Sequence, residues 1–576
     1  MAYDGLTMAC VQQELKHSLI GARIEKIYQP SNREIVLHLR TREAALMLLC
    51  SADPQLARVH LTTAKPANPA VAPAFCMLMR KHLTGARLLD IEQDQLERVL
   101  TFVFRSYDQF GDNTKKRLVC EVMGKHSNII LTMPNEQEIP QVLGSIKTVD
   151  ETMSRLRVVM PGEIYFPPPA QDKLNLFDFT EEELTAALLQ AENKAADNAL
   201  VQAVGGLGRE LAREIIRRAA ANEPAHPLAM VRPLTIELQR LAAAFKNGKL
   251  TPCLRKLEDQ KPEFSLLAPT SAQQIELTFY ATVNEALDAY YTAVVQELQT
   301  NEVRQQLLHT INKHLTRSEK KQYLQKNELQ EMEGADKYRI WGEMLTASLH
   351  QLRSGMKEAH VINYYAENIE KLKIPLDPSL SPQANAQRYF KRYRKLSDGK
   401  KYLRQRLKAT YSQLNYLESL LVAAQNADLP ALLEIREEME SDGLIRSRSH
   451  KKRVTAPPSQ PLHFLSPDGI EVLVGKNNRQ NDQLTMRLAA SADVWLHVKD
   501  VPGSHVIIRH AEPPTSTLLF AAALAAHYSK AAASANVPVD YTQVRHVKKP
   551  RGAKPGMVIY DHHNTVYVTP SAGHKQ

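Results

Sequence analysis

The sequence predicts a multi-domain α+β protein, with an α/β domain at each end and helices between them. Three observations predict it. Apolar and polar residues alternate with period two near both ends. A capped helical stretch begins near residue 178. Leucines then recur at helical spacing in two arms that prolines keep apart. Period two marks half-buried strands, whereas three-four spacing marks helices packed on helices. The expected order is an N-terminal α/β domain over 1–175 and a helix-hairpin-helix domain with linker over 176–275. A long antiparallel coiled-coil hairpin over 276–440, a basic linker over 441–461 and a C-terminal α/β domain over 462–576 complete it. A chain of 576 residues suits about four domains at ~150 residues each.

In the first domain, Ala22 to Tyr28 and Ile35 to Leu39 alternate and predict strands, and Met77 to Leu83 predicts a helix start. Val99 to Phe104 and Asn128 to Thr132 predict further strands, and Pro167-Pro168-Pro169 a stiff extended exit. Over 178–250 the chain is helical. Thr180 followed by Glu183 forms a capping box, in which hydroxyl and carboxylate each accept from the other's backbone N–H. Residues 251–275, with Pro252, Pro262 and Pro269, suit short strands or a linker. Long helix begins near 278. Leu308, Ile311 and Leu315 define one arm, and Leu407, Leu414 and Leu421 with Leu403 and Leu417 the other. Pro375, Pro378 and Pro382 forbid one continuous rod, so the arms fold back around a small helical tip. The linker runs through Gly443, basic Arg446 to Arg453 and Pro457-Pro458. The last domain offers strands at Val494–Val498 and Val506–Ile508, a helix from Thr515 to Ala533, and a closing hairpin over Tyr560–Tyr567.

The net charge is +10, from 73 Lys and Arg against 63 Asp and Glu. Surplus cations gather polyanions, which makes nucleic acid the leading partner class and an anionic membrane the second. No basic amphipathic helix lies beside an apolar anchor. Five scattered cysteines, none in C-x-x-C spacing, predict neither a disulfide framework nor a zinc site, and free thiols suit a reducing compartment. No leader-like start and no apolar run of ~20 residues is present, so the expected location is the cytoplasm.

Val204-Gly205-Gly206-Leu207-Gly208-Arg209 fits a helix-hairpin-helix turn. There Gly206, Gly208 and Arg209 would offer backbone N–H groups and a cation to phosphate; the plainer reading is a turn that needs glycine for packing. Gly124-Lys125-His126-Ser127 resembles the end of a Walker loop, but Val119 stands where the first glycine belongs. G-x-G-x-x-G, H-E-x-x-H and G-x-S-x-G are absent, so no catalytic residue, metal ligand or cofactor is expected. From Arg388 to Lys408 the cations, among them Arg388, Lys391 and Arg392, are interrupted by Asp398 alone. Charged faces ordinarily mix signs, so this run favours phosphate contact, while Tyr389, Phe390 and Tyr393 suit helix-pair core. In the last domain, Lys476, Asn477, Asn478 and Arg479 form a polar loop suited to RNA. Lys548, Lys549, Arg551 and Lys554 form a second, held in shape by Pro and Gly. Trp495 and His497 share a strand face, and His497 suits a structural role.

Asp4-Gly5, Lys26-Ile27-Tyr28-Gln29-Pro30, Met123-Gly124-Lys125-His126-Ser127-Asn128 and Pro167 to Asp172 resemble the NFACT family. So do Pro382 with Asn385-Ala386, Tyr389-Phe390-Lys391, Val474 to Asn478, Asp493 to His505 and Val547 to Pro550. The resemblance spans nearly the whole chain and looks like the bacterial form. It implies an NFACT-N domain first and an NFACT-R RNA-binding domain last. It also implies a non-enzymatic factor for a large (50S) ribosomal subunit, with its 23S rRNA, blocked by a peptidyl-tRNA nascent chain. Such a factor recruits tRNA-Ala and directs mRNA-free alanine tailing, with peptide bonds formed in the ribosome's own centre. Two elements of the family matter for tRNA, an Asp-Arg pair and an E-I-M stretch. Here they are Glu97-Arg98 and Glu121-Val122-Met123, both mild departures. Arg98 keeps the guanidinium that forks onto phosphate or a base edge. Two other classes remain open: a fibronectin-binding surface adhesin, and a glycosylase of the formamidopyrimidine type. The latter needs an N-terminal Pro nucleophile followed by Glu, whereas this chain begins Met1-Ala2.

Overall fold

The computed structural model describes residues 3–107, 113–154, 157–191, 193–220, 227–257, 262–270, 275–365, 371–446 and 459–573. These divide into two compact units, Met1–Glu297 and Leu298–Gln576.

The first unit opens with helix α1 (Gly5–Leu19), whose N-cap Asp4 accepts the Thr7 N–H at 2.8 Å. Nine antiparallel strands follow: β1 (Arg23–Ser31), β2 (Glu34–Arg40), β3 (Ala45–Ser51), β4 (Arg58–Leu61), β5 (Arg87–Gln93), β6 (Val99–Tyr107), β7 (Asn113–Glu121), β8 (Asn128–Pro134) and β9 (Pro140–Ser145). Their order in the sheet is β4-β3-β2-β1-β5-β6-β7-β8-β9. Helix α2 (Ala74–Leu83) lies between β4 and β5 in the chain. Leu6, Leu15 and Leu19 of α1, Cys76 and Met79 of α2, and Ile24, Leu37, Leu88 and Phe102 of the sheet share one core. The strict alternation expected at 22–28 breaks at a bulge between Ile24 and Lys26. The extra residue puts both Ile24 and Ile27 on the buried face.

Four helices cover the expected helical region: α3 (Glu181–Leu189), α4 (Ala196–Ala203), α5 (Arg209–Ala219) and α6 (Val231–Lys246). The capping box forms in both directions: the Thr180 N–H donates to the Glu183 carboxylate at 2.8 Å, and the Glu183 N–H to the Thr180 hydroxyl at 3.2 Å. Residues 251–275 take the strand option. β10 (Cys253–Leu257) lies between β11 (Glu263–Ser265) and β12 (Ile275–Phe279). Because β12 uses the chain to 279, helix α7 starts at Val283, not 278, and runs to Glu331.

In the second unit α7 pairs with α9 (Pro382–Asn426). Leu307, Ile311 and Leu315 pack with Leu414, Leu417 and Leu420, and farther along α7 the buried Gln325 accepts from the Thr410 hydroxyl at 2.9 Å. Partners on α9 fall in number as those on α7 rise, so the helices are antiparallel. The apolar spacing of α7 ends at Leu315; Ser318 and Gln325 are buried beyond it. Between the arms lie α8 (Asp336–Ala347) and a hairpin of β13 (Glu358–Ile362) and β14 (Lys371–Pro375). The expected small helical tip thus holds helix α8 and, beyond that expectation, a strand hairpin. Ala359, Val361 and Ile374 alternate inward onto Met344, Leu345 and Ala386. Tyr389 stacks on Tyr338 at 6.1 Å and packs against this core, and Phe390 lies against Gly342; both rings are half-buried. Helix α10 (Leu429–Ser441) follows, and the basic stretch of the linker lies mostly outside the described residues.

The last domain is a six-stranded sheet in the order β15 (Leu462–Leu465), β16 (Glu471–Val474), β18 (Val506–Ile508), β17 (Val494–Val498), β19 (Val537–Gln543) and β22 (Asn564–Val568). Helix α11 (Asn478–Gln483) precedes β17, and β20 (Val547–Lys548) pairs with β21 (Ile559–Tyr560). Helix α12 (Thr515–His527) covers one sheet face, and Trp495, Ile507, Leu484 and Val547 form a smaller core. Two expectations are corrected. Helix α12 stops at His527 instead of Ala533, because the Tyr528 carbonyl accepts the Ser504 N–H and the Lys530 N–H donates to Pro502. Tyr560–Tyr567 is not a hairpin: β21 pairs with β20, and β22 with β19. His562 stands between them at φ 50°.

Candidate nucleic-acid interface

In the first unit, antiparallel pairing joins the two sequence elements singled out for tRNA. Val99 faces Glu121 across β6 and β7, and the Val122 N–H donates to the Arg98 carbonyl at 2.9 Å. A tight turn, in which the Glu97 N–H donates to the Asp94 carbonyl at 3.0 Å, brings Glu97 and Arg98 to the head of β6. Arg98 lines two cavities. The first, of about 310 Å³, is walled by Asp4, Glu97, Arg98, Lys173, Gly206 and Arg209 among others. It therefore unites the Glu97-Arg98 pair with the glycine turn between α4 and α5.

That turn is fixed by packing. Gly206 sits at φ 83°, a region that suits glycine, and a Cβ there would meet Leu96 at 2.6 Å. The Gly206 carbonyl accepts the Leu6 N–H at 2.9 Å. The Gly208 N–H, expected to be free for phosphate, donates to the Asp4 carboxylate at 2.8 Å. The plainer reading therefore describes Gly206 and Gly208, while the exposed Arg209 side chain reaches Asn198 at 2.8 Å and still lines the cavity. Burial raises the Asp4 carboxyl against the hydrogen bonds that lower it. Burial, then the neighbouring Arg98, lowers the Lys173 ammonium.

The second cavity, of about 770 Å³, holds Arg98, Glu121, Met123, Lys125, His126 and Arg157. Glu121 is 2 % exposed and accepts from Arg157 and, at 2.9 Å, from the Tyr165 hydroxyl. Burial raises its carboxyl, and Arg157 opposes the shift. Val122 is buried in the core, and the Met123 N–H donates to the Ser127 hydroxyl at 2.8 Å. The Gly124–His126 turn leaves Lys125 and His126 exposed at the cavity. The two cavities thus present a net cationic lining, which suits a phosphate backbone.

In the second unit the expected RNA loops are largely engaged within the fold. Lys476-Asn477-Asn478-Arg479 is a helix start instead of a loop: the Asn477 side chain caps α11 by accepting the Gln480 N–H at 2.9 Å. Asn477 and Asn478 are buried and donate to Glu434 at 2.6 Å and Glu438 at 3.2 Å. Lys476 pairs with Asp428 at 2.7 Å and Arg479 with Glu437 at 3.4 Å. Lys549 pairs with Asp482, and Lys554 with Asp442 at 3.0 Å, 4.1 Å over the Tyr416 ring. Lys548 and Arg551 are exposed, with no acidic partner among the described residues. On α9, Arg388 pairs with Asp377 at 2.7 Å and Arg392 lies 4.4 Å over Tyr338, whereas Lys391 is exposed. Among the described side chains, His546, Asp561 and His562 bring potential metal-ligating atoms within 4.8 Å of one another. No helix of the described residues is long and apolar enough to cross a membrane.

Residues 4–456 match the family model for NFACT N-terminal and middle domains, and 460–561 the model for the NFACT protein RNA binding domain. The chain belongs to the NFACT family. Curated NFACT relatives include the Rqc2 homolog RqcH of Bacillus subtilis, 37% identical over 99% of this chain and 98% of that one. RqcH of Streptococcus pneumoniae is 33% identical over the same shares. Among solved structures, the N-terminal part of the fibronectin/fibrinogen-binding protein from Streptococcus suis is 32% identical. It covers 50% of this chain and 99% of its own, with a TM-score of 0.41.

In this NFACT chain, residue-level reasoning missed Lys125, His126, Lys147, Arg157 and Lys173, all of which line the two cavities. A signal existed for the first two: the turn that fails as a Walker loop still projects its cation. Arg157 had none, because only the fold brings it to Glu121.

Proposed function

We propose that this chain is a ribosome-associated quality control factor. It binds large (50S) subunits stalled with peptidyl-tRNA, recruits tRNA-Ala and directs mRNA-independent alanine tailing of the nascent chain. Full-length identity of 37% to an RqcH carries this reading. The cavities that share Arg98 support its tRNA part, since Glu97 lines the first with Arg209, and Glu121 and Met123 the second with Lys125. In this reading the helix-hairpin-helix turn positions Arg209, the paired helices α7 and α9 act as a coiled-coil arm along the subunit, and the last domain holds 23S rRNA. No side chain of this chain performs chemistry; the factor works in the cytoplasm by holding RNA.

The test is sedimentation with 50S–peptidyl-tRNA complexes through a sucrose gradient. Co-migration at 50 mM salt that falls ~10³-fold in affinity by 200 mM is expected from several phosphate contacts. Absence from the 50S peak at low salt would refute the proposal.

A further inference from the structure

A third cavity, of about 480 Å³, lies within the last domain and beside α9. Trp495, His497, His505 and Tyr560 line it, and Pro550 of the basic loop stands at its edge. The rings form one cluster: Tyr560 lies 4.8 Å from Trp495, His497 stacks on Trp495 at 5.7 Å, and His505 meets it edge-on at 5.3 Å. The histidines bring no positive charge inside. Burial lowers His497, and burial with His497 nearby holds His505 down to about 3. The Trp495 Nε1–H is enclosed and has no hydrogen-bond partner among the described residues. Next to Pro550, Lys548 and Arg551 are the cations of this loop left exposed with no acidic partner among the described residues, and Asp500 adds a carboxylate to the lining.

We propose that this cavity takes one unpaired RNA nucleotide, its base among the rings and its phosphates on Lys548 and Arg551. His497 and Tyr560, the half-buried rings of the cluster, offer faces that accept any base, with Trp495 fully buried beside them. The site deepens the RNA-binding role proposed for this domain and rests on that reading. It lies wholly in the second unit, apart from the Arg98 cavities of the first.

Trp341 and Trp495 are the chain's two tryptophans, so Trp341→Phe in the full-length protein leaves Trp495 as the reporter. The probes are a single-stranded RNA hexamer, its abasic counterpart with equal phosphates, a duplex of the same sequence, and AMP. The hexamer is expected to change Trp495 emission and to bind at least tenfold tighter than the abasic strand or the duplex. Tyr560→Ala should abolish that preference, and K548Q/R551Q should weaken both single strands. Equal binding of hexamer and abasic strand overturns the base pocket, and AMP as tight as the hexamer overturns RNA as the source. If Tyr560→Ala does not fold, the abasic comparison and the exposed double variant decide. Gradient sedimentation in parallel separates this failure from that of the ribosomal reading. A variant that co-sediments yet shows no base preference removes the pocket alone.

Discussion

The glycine turn of the first unit and the basic loops of the last domain both resemble nucleic-acid contacts in sequence, yet the fold uses them differently. At the turn, backbone is consumed: Gly206 is pressed on Leu96, and Gly208 donates to Asp4. The side chains of Glu97, Arg98 and Arg209 are left lining the cavity. In the last domain, side chains are consumed. Lys476, Arg479, Lys549 and Lys554 each meet an acid, and Lys548 and Arg551 stay exposed. One region is closed by steric fit and the other by charge pairing. Steric closure is costly to break, whereas exposed ion pairs contribute little.

The comparison is sharpened most by Gly5→Ala. A Cβ there would lie 1.9 Å from the Leu96 carbonyl and 2.8 Å from the Gly206 Cα, so backbone must move. The expected loss is about 3 kcal/mol, the upper end for overpacking, read by urea unfolding. A loss below ~0.5 kcal/mol would show that the turn is not sterically locked.

Next comes the buried acid behind the charged region. Glu438 is 1 % exposed; one carboxylate oxygen accepts from Tyr416 at 2.8 Å and from Asn478, and the other has no partner among the described residues. Burial raises this carboxyl. The folded state therefore prefers the neutral form, and the group's stabilising contribution is full below the ordinary glutamate range and lost as pH rises through the raised value. Glu438→Gln should gain on the order of 1 kcal/mol at pH 8, with the gain vanishing toward pH 4. A gain that grows on acidification contradicts the assignment.

The smallest effect separates paired from unpaired cations. Lys554→Gln loses an exposed ion pair and a cation–π contact and should cost about 0.5–1 kcal/mol. Lys548→Gln should stay within ~0.5 kcal/mol. Equal losses in thermal unfolding would erase the distinction between the two groups.

Legibility in the sequence follows the same division. Strands β6 and β8, the capping box at Thr180 and the packing of Leu414 and Leu417 were readable because their signals are local and periodic, whereas Leu407 of the expected repeat is only half-buried. The tip hairpin escaped because its strands, Glu358–Ile362 and Lys371–Pro375, are short and sit between long helices. The fate of each cation also escaped. Whether Lys549 is free depends on Asp482, and whether the Gly208 N–H is free depends on Asp4, and neither partner is a sequence neighbour. Glu97-Arg98 and Glu121-Val122-Met123 came from the family resemblance, and the β6–β7 register explains why they lie side by side.

The central claim is that the cavities around Arg98 hold tRNA independently of subunit binding. It is tested most directly by recovering RNA with wild-type and Arg98→Ala protein from 50S–peptidyl-tRNA complexes and measuring tRNA-Ala against 23S rRNA. At least a tenfold fall in tRNA-Ala with 23S rRNA recovery unchanged is expected, and tRNA-Ala recovery equal to wild type would rule out tRNA binding through Arg98.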